Sequence, residues 1–289
     1  MLTQGLVNGI LMGGLYGIAA LGLSLIYGVL NVVNFAHGGL LMTGMFLGYW
    51  LWVFTQFNIY FILIPVFLGL FLLGMLIESS IINPVLAREK EQHVNIIFIT
   101  SGVMMVLENL ALLLFGPEYR VADTSVSGLT LKMGEIVVST PRVLGFILAA
   151  ILAAAVHSML RMTDLGRAIR ATADDEDAAA VAGINTRKVF NFAFALGCAI
   201  TGVAGALLIP IFYVQPTVGG VFNVKAFIIV VLGGMGSLNG AMIGGLIVGL
   251  IESLVTLYYR NTMADMVVFL IFIVFLLFRP SGLLGKKEA

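Results

Sequence analysis

From Met1 to Ile77 the chain contains no Asp, Glu, Lys or Arg. Charged side chains are what a folded chain shows to water, so a run this long without them has no stable place in a soluble domain. At about 20 residues for each crossing of a ~30 Å hydrocarbon core, the run accommodates three transmembrane segments. The rest of the chain has the same character: 60% of the 289 residues are hydrophobic and 10% are charged, against about 25% charged in soluble domains. The expected fold class is therefore all-α, a polytopic membrane protein whose residues 1–289 form a single transmembrane domain in the lipid bilayer.

Eight apolar segments follow from hydropathy, at residues 6–30, 39–55, 60–77, 94–115, 143–160, 189–213, 219–258 and 264–278. The first lacks a basic leader and is too long for a signal-peptide core, so it reads as a membrane helix; at about 1.5 Å per residue it reaches ~37 Å, enough to cross with some tilt. The seventh is too long for one span. Gly233-Gly234-Met235-Gly236-Ser237-Leu238-Asn239-Gly240 interrupts it, and glycines at this density do not hold a helix cheaply. It is expected to be broken or doubled. If broken within the membrane, Gly234 and Gly236 would be unwound backbone lining a water-filled path, as at many transport sites.

Lys and Arg in short loops set the orientation. The stretch Arg161–Lys188 carries Arg161, Arg167, Arg170, Arg187 and Lys188 and is assigned to the cytoplasm. Residues 83–93, with Arg88 and Lys90, fall on the same side, as does the tail with Arg279, Lys286 and Lys287. The N-terminus and the loop 116–142 are then external, an arrangement that requires the seventh segment to cross twice or turn back. In that external loop, residues 129–138 resemble a small hairpin with Gly134 in the turn; it either receives an extracellular partner or only covers helix ends.

Net charge is zero, which offers no field for nucleic acid or a strongly anionic partner. The single cysteine, Cys198, excludes an intrachain disulfide and a cysteine metal cluster; it reads as a small packing residue. Gly234-Met235-Gly236 lacks the strand and the acidic residue of a dinucleotide fingerprint. No nucleophile–base pair, zinc motif or phosphate loop is visible, so no catalytic residue, metal site or cofactor is expected. Asn8-Gly9 and Asn239-Gly240 are each followed three residues later by Gly-Gly-Leu, an echo that reflects either internal duplication or shared close-packing chemistry.

Glu108, Glu252 and His37 are candidates for a translocation path. Glu108 and Glu252 lie inside apolar segments, where a central charge costs about 2.5–3.5 kcal/mol on insertion scales. Each is a substrate amino-group partner or proton relay, or else a protonated, interfacial or interhelical hydrogen-bonding group. His37, after Asn34-Phe35-Ala36, has no partner at metal-ligand spacing; it either caps a helix or, with Asn34, lines the path.

Inside Arg161–Lys188, the acids Asp174, Asp175, Glu176 and Asp177 precede Ala178-Ala179-Ala180-Val181-Ala182, and Gly183 follows. Acids at the positive end, alanines within and glycine at the C-terminal turn describe a short water-exposed helix. Asp177-Ala178-Ala179, three residues, then Gly183 resembles the "EAA" loop of bacterial ABC importer membrane subunits, with Asp where Glu is usual. Arg170-Ala171, Asp174-Asp175 and Gly183-Ile184-Asn185-Thr186 resemble the branched-chain amino acid permease family. So do Val33-Asn34-Phe35-Ala36-His37-Gly38 and residues 233–241. The likeness spans nearly the whole chain and is greater to the shorter of that family's two paired permeases.

The resemblance implies an inner-membrane permease of a binding-protein-dependent ABC importer, for branched-chain amino acids or, in related systems, urea, amides or other amino acids. It implies as partners a second homologous permease, two cytoplasmic ATPase subunits that perform the hydrolysis, and an extracytoplasmic substrate-binding protein. Residues Asp174, Asp175, Asp177, Ala178, Ala179, Gly183, Ile184 and Asn185 would form the ATPase-coupling loop. An ion-coupled secondary transporter using Glu108 or Glu252, and a passive channel constricted at the glycine break, are the competing readings.

Overall fold

The structure is a computed structural model that describes residues 1–86, 92–124, 127–134 and 136–285. Arg88, Lys90, Lys286 and Lys287, which contributed to the expected orientation, and Glu135 of the hairpin lie outside the described residues.

Every apolar segment forms helix: α1 (Leu2–Leu30), α2 (His37–Thr55), α3 (Leu63–Ile77), α5 (Gln92–Phe115), α6 (Thr140–Met162), α9 (Thr186–Leu208), α10 (Val218–Gly233), α11 (Leu238–Thr256) and α12 (Asn261–Phe278). Helix α3 runs on through a π turn, Glu78–Ile82, into the short α4, Asn83–Leu86. Among the described residues seven helices are long and apolar enough to cross a membrane, and α10 and residues 262–278 are shorter apolar helices. The long seventh segment is thus doubled. Helix α10 stops because Gly234 and Gly236 take φ of +103° and +78°, values that side-chain-bearing residues avoid. Helix α11 restarts where the Ser237 hydroxyl accepts from Gly240 N–H at 3.1 Å.

Two glycine stripes bring α1 and α11 into backbone contact. A Cβ added to Gly245 would lie 2.4 Å from Gly17 Cα, and one added to Gly249 2.4 Å from Gly13 Cα. The helices run antiparallel, with Gly5 against Leu257 at one end and Gly28 against Gly236 at the other. Of the echoing motifs, Gly13 and Gly245 meet across this seam, whereas Gly240 and Gly244 pack against α10 and Gly14 against Phe146 of α6, so every one of these glycines serves a close contact. Gly44 meets Gly202 in the same way between α2 and α9. Cys198 is fully buried, its Cβ 2.8 Å from where a Cβ on Gly74 would stand, so it is a small residue in a tight helix contact.

Two faces result. The hairpin face carries the N-terminus, residues 116–124, 127–134 and 136–139, and the α11–α12 connection; the loop face carries residues 163–185, the α10–α11 turn and the tail residues 279–285. The tail is fixed there because Leu283 and Leu284 N–H donate to Leu232 and Gly233 C=O, each at 2.9 Å. On the hairpin face β1 (Thr130–Met133) and β2 (Ile136–Ser139) pair antiparallel, Thr130 opposite Ser139 and Met133 opposite Ile136, with Gly134 at φ +65° in the turn.

Two connections do not stay at a face. Helix α1 ends at Asn31, left-handed at φ 52°, and residues 31–36 turn back into the bundle. They deliver His37 to Thr201, whose hydroxyl also lies against Gly22, two turns before the end of α1. At 1.5 Å per residue that is a return of about 12 Å. From the opposite face, residues 209–217 lead inward to the start of α10. Gly38 and Gly219 abut, a Cβ on Gly38 falling 2.3 Å from Gly219 O. Helices α2 and α10 thus begin N-terminus to N-terminus at mid-bundle and leave in opposite directions.

Candidate functional site

The mid-bundle junction is where polar groups converge. Asn34, His37, Thr100, Thr201 and Asn223 are all buried there. Non-helical backbone inside an apolar bundle must find partners within the protein, and these side chains supply them. Thr100 Oγ1 accepts from Phe35 N–H at 3.1 Å, and Asn34 Oδ1 from Ala36 N–H at 3.0 Å. Asn223 Oδ1 accepts from Gly38 N–H at 3.1 Å while its amide donates to Phe35 C=O at 3.4 Å. Asn223 therefore ties the re-entrant segment to α10. Thr201 donates to Gly197 C=O at 2.8 Å, so at 3.3 Å it is an acceptor for His37 Nδ1. That leaves His37 Nε2 an acceptor; it and Asn34 Nδ2 are buried without a partner.

Glu252 is in a different place. Its Oε1 accepts from Lys225 Nζ at 2.9 Å and from the Tyr16 hydroxyl at 3.2 Å, and Lys225 also reaches Asp265 Oδ1 at 3.1 Å. Lys225 lies over the Tyr16 ring, 5.1 Å from its centroid. The network joins α1, α10, α11 and α12, and its Lys225 and Glu252 side chains are only 14% and 20% exposed. Pairing of this kind is how an apolar bundle accommodates charge. Glu108 belongs to neither cluster: it is half-buried on α5, and its side chain has no hydrogen-bond or ion partner among the described residues.

Gly234 and Gly236 are separate again. They form the α10–α11 turn on the loop face, Gly234 against Gly285 and Gly236 against Gly28. The expected mid-membrane break thus stands at a helix junction, and the unwound backbone at depth is residues 31–36 and 209–217. The sequence pattern points to the glycine run, but the re-entrant stretches are marked by Asn31 and Asn34 and by Pro210 and Pro216, a more dispersed signal.

The charged loop folds as two helices outside the bundle. Helix α7 (Asp164–Asp174) starts where Thr163 Oγ1 accepts from Gly166 N–H at 3.0 Å, and its Gly166, Ile169 and Thr172 are buried on one side. Helix α8 (Glu176–Val181) starts at Asp175, whose Oδ1 accepts from Ala178 N–H at 2.9 Å. Gly183, at φ +87°, ends it with Ile184 N–H to Ala179 C=O and Gly183 N–H to Ala180 C=O, each 3.0 Å, the paired bonds of a Schellman turn. Asn185 then caps α9, accepting from Lys188 N–H at 3.1 Å. Asp177 and Ala178 are exposed, Ala179 is buried, and Val181 is 91% exposed at the tip. The second helix, α7, was not foreseen; Thr163-Asp164 before an apolar spacing of three was its signal.

Residues 5–277 match the family model described as branched-chain amino acid transport system / permease component. The chain belongs to this permease family. It is similar, at 30% identity over 298 residues covering 99% of this chain and 96% of the relative, to the high-affinity branched-chain amino acid transport system permease protein LivH of Salmonella typhimurium. Similarity to BraD of Pseudomonas aeruginosa, named in the same terms, is 30% over 300 residues, with 99% and 96% covered. A local likeness, 34% over 112 residues covering 36% of this chain and 31% of the relative, reaches the fructose import permease protein FrcC of Rhizobium meliloti. No solved structure matches.

In this permease the residues missed from sequence are lone polar groups within apolar helices. Asn223, Thr100 and Thr201 sit in no motif, and only the fold gives them partners. Lys225 was findable, since it and Glu252 are opposite charges in one apolar run, which calls for pairing.

Proposed function

We propose that this permease is the membrane-spanning subunit of a binding-protein-dependent ABC importer in the bacterial inner membrane, carrying leucine, isoleucine and valine by alternating access. The names of relatives that align along almost the whole chain support the substrate class. The observation that carries the mechanism is the capped, solvent-exposed pair α7–α8. Helix α7 packs on the end of the bundle through Ile169 and Thr172, α8 stands outermost, and each terminus is fixed by its own hydrogen bonds. A rigid projection with an exposed Val181 tip beside Asp174, Asp175 and Asp177 suits docking into a cytoplasmic ATPase. Residues 161–188 are then the coupling loop, with Ala178, Ala179, Gly183, Ile184 and Asn185 holding its shape. The five basic residues there support a cytoplasmic loop face and C-terminus, with the N-terminus and the external loop facing the binding protein. Two ATPase subunits and a second homologous permease complete the assembly.

The mid-bundle junction is the proposed moving part and path wall. Asn34 and His37 present unpartnered polar atoms there, and the adjoining non-helical segments can bend without breaking helix hydrogen bonds. Leucine uptake into proteoliposomes holding the full assembly should stop without ATP and survive collapse of the proton gradient. Uptake that needs the gradient and ignores ATP sinks the importer reading.

A further inference from the structure

A cavity of about 270 Å³ opens on the loop face between α1, α6, α7 and the start of α11. Its polar wall carries two cations among neutral groups: Arg161 and Arg170 beside His157, Ser24, Ser237 and Asn239. Arg161 closes α6 and Arg170 projects from α7, with His157 one turn before Arg161. Arg167 on the same helix is paired with Asp164, whereas the side chains of Arg161 and Arg170 have no hydrogen bond or ion pair among the described residues. No described carboxylate lines the cavity. The N-terminus of the 19-residue α11 faces it through Ser237, Leu238 and Asn239. Ser237 serves Gly240 N–H, which leaves the first amides of that helix, with their positive dipole end, toward the cavity. Ser24, also in the wall, is 0% exposed and its hydroxyl has no partner. Two guanidinium groups, helix amides and a buried hydroxyl with no opposing acid make a receptor for a phosphate-class anion.

The cavity continues away from the face. A second space of about 330 Å³ shares His157, Leu238 and Asn239 with the first and runs between α1, α6 and α11 past Leu21, Ala153, Ala154 and Met242. Ala154 is two turns back from Arg161 along α6, at bilayer depth. A cationic end at the surface followed by an apolar channel into the membrane fits an amphiphile; a free anion has no use for the channel. We propose that this is a binding site for one anionic phospholipid of the adjacent leaflet. The headgroup phosphate lies between Arg161 and Arg170 at the α11 N-terminus, and an acyl chain follows Leu21 and Met242. Basic pockets between transmembrane helices at the membrane surface select such headgroups. The bound lipid would brace α7 against α6 and α1.

The test is native mass spectrometry of the full-length permease released from membranes, reading retained phosphatidylglycerol or cardiolipin against phosphatidylethanolamine. The wild type should retain the anionic lipid. The pair Arg161→Gln and Arg170→Gln should lower that enrichment roughly tenfold or more, the scale expected for removing two surface cations, while Arg167→Gln should leave it unchanged. Ala154→Phe, which fills the exposed channel and keeps the headgroup contacts, should also displace the lipid, and it carries the test if the double variant does not fold. Equal enrichment in every variant overturns the proposal. So does loss with the arginines but not with Ala154→Phe, accompanied by release of lipid on adding inorganic phosphate, because that assigns the pocket to a free anion. None of these readouts depends on transport or on ATP.

Discussion

Replacing Gly245 by alanine adds one methyl group where the α1 and α11 backbones touch. The new Cβ would stand 2.4 Å from Gly17 Cα and N and 2.8 Å from Gly13 O, where ordinary contact begins at 3.4 Å. The obstacles are backbone atoms, which cannot rotate away, so the helices must part by about 1 Å. A gap of 0.5–1 Å forfeits roughly a quarter to a half of each dispersion contact it opens, and overpacking of this kind costs about 1–3 kcal/mol. At roughly 2–4 °C per kcal/mol for a domain of 150–250 residues, Tm should fall by about 2–12 °C. The control is Gly102→Ala in α5, where a Cβ meets nothing within 4 Å. Removing an interior helix glycine there should be neutral or stabilising by about 0.5–1 kcal/mol. Thermal unfolding in one detergent, followed by tryptophan fluorescence, compares the two. A Gly245→Ala protein that melts with or above the wild type would refute the backbone-contact account of the seam.

Lys225→Met leaves Glu252 and Asp265 without their cation and should destabilise by about 3–5 kcal/mol; adding Glu252→Gln should restore part of the lost Tm, and no restoration would mean that the pair is not coupled. Asn223→Ala strands Gly38 N–H and Phe35 C=O in the bundle, at about 1–3 kcal/mol, and should reduce transport and Tm together. Gly183→Val forces a β-branched residue to φ +87° at a cost of about 1–2 kcal/mol in a place with nothing within 4 Å of its Cβ. It should leave the assembly intact yet lower leucine-dependent ATP hydrolysis, and unchanged coupling would remove α8 from the mechanism.

Helices with one uninterrupted apolar cause were legible: an uncharged run of 77 residues has few other fates, and Gly183 and Gly134 announced the turns that they make. Asp175 and Asn185 were legible as part of a motif, and their capping geometry gives that motif a physical reason. The re-entrant stretches were not legible, because nothing in Asn31–Ala36 distinguishes a chain returning into the bundle from one turning at its surface. Their depth is set by contacts with Thr100, Thr201 and Asn223, each more than 60 residues away in sequence. Glu252 is legible only in part: Lys225, 27 residues earlier in the same apolar run, is a readable counter-charge, but Tyr16 and Asp265 join the network only through the fold.

The Lys225–Glu252 pair also bears on the order in which the chain can enter the membrane during synthesis. Helix α10 has 16 residues, about 24 Å of helix, shorter than a ~30 Å hydrocarbon core, and it carries a lysine near its middle. Emerging from the ribosome alone, it is a poor candidate for lateral release into lipid, since its cation then has no counter-charge. Helix α11 follows after a four-residue turn and brings Glu252. The two should therefore leave the translocation machinery as a hairpin, and a chain truncated just before α11 should fail to integrate α10 although every residue of that helix is present.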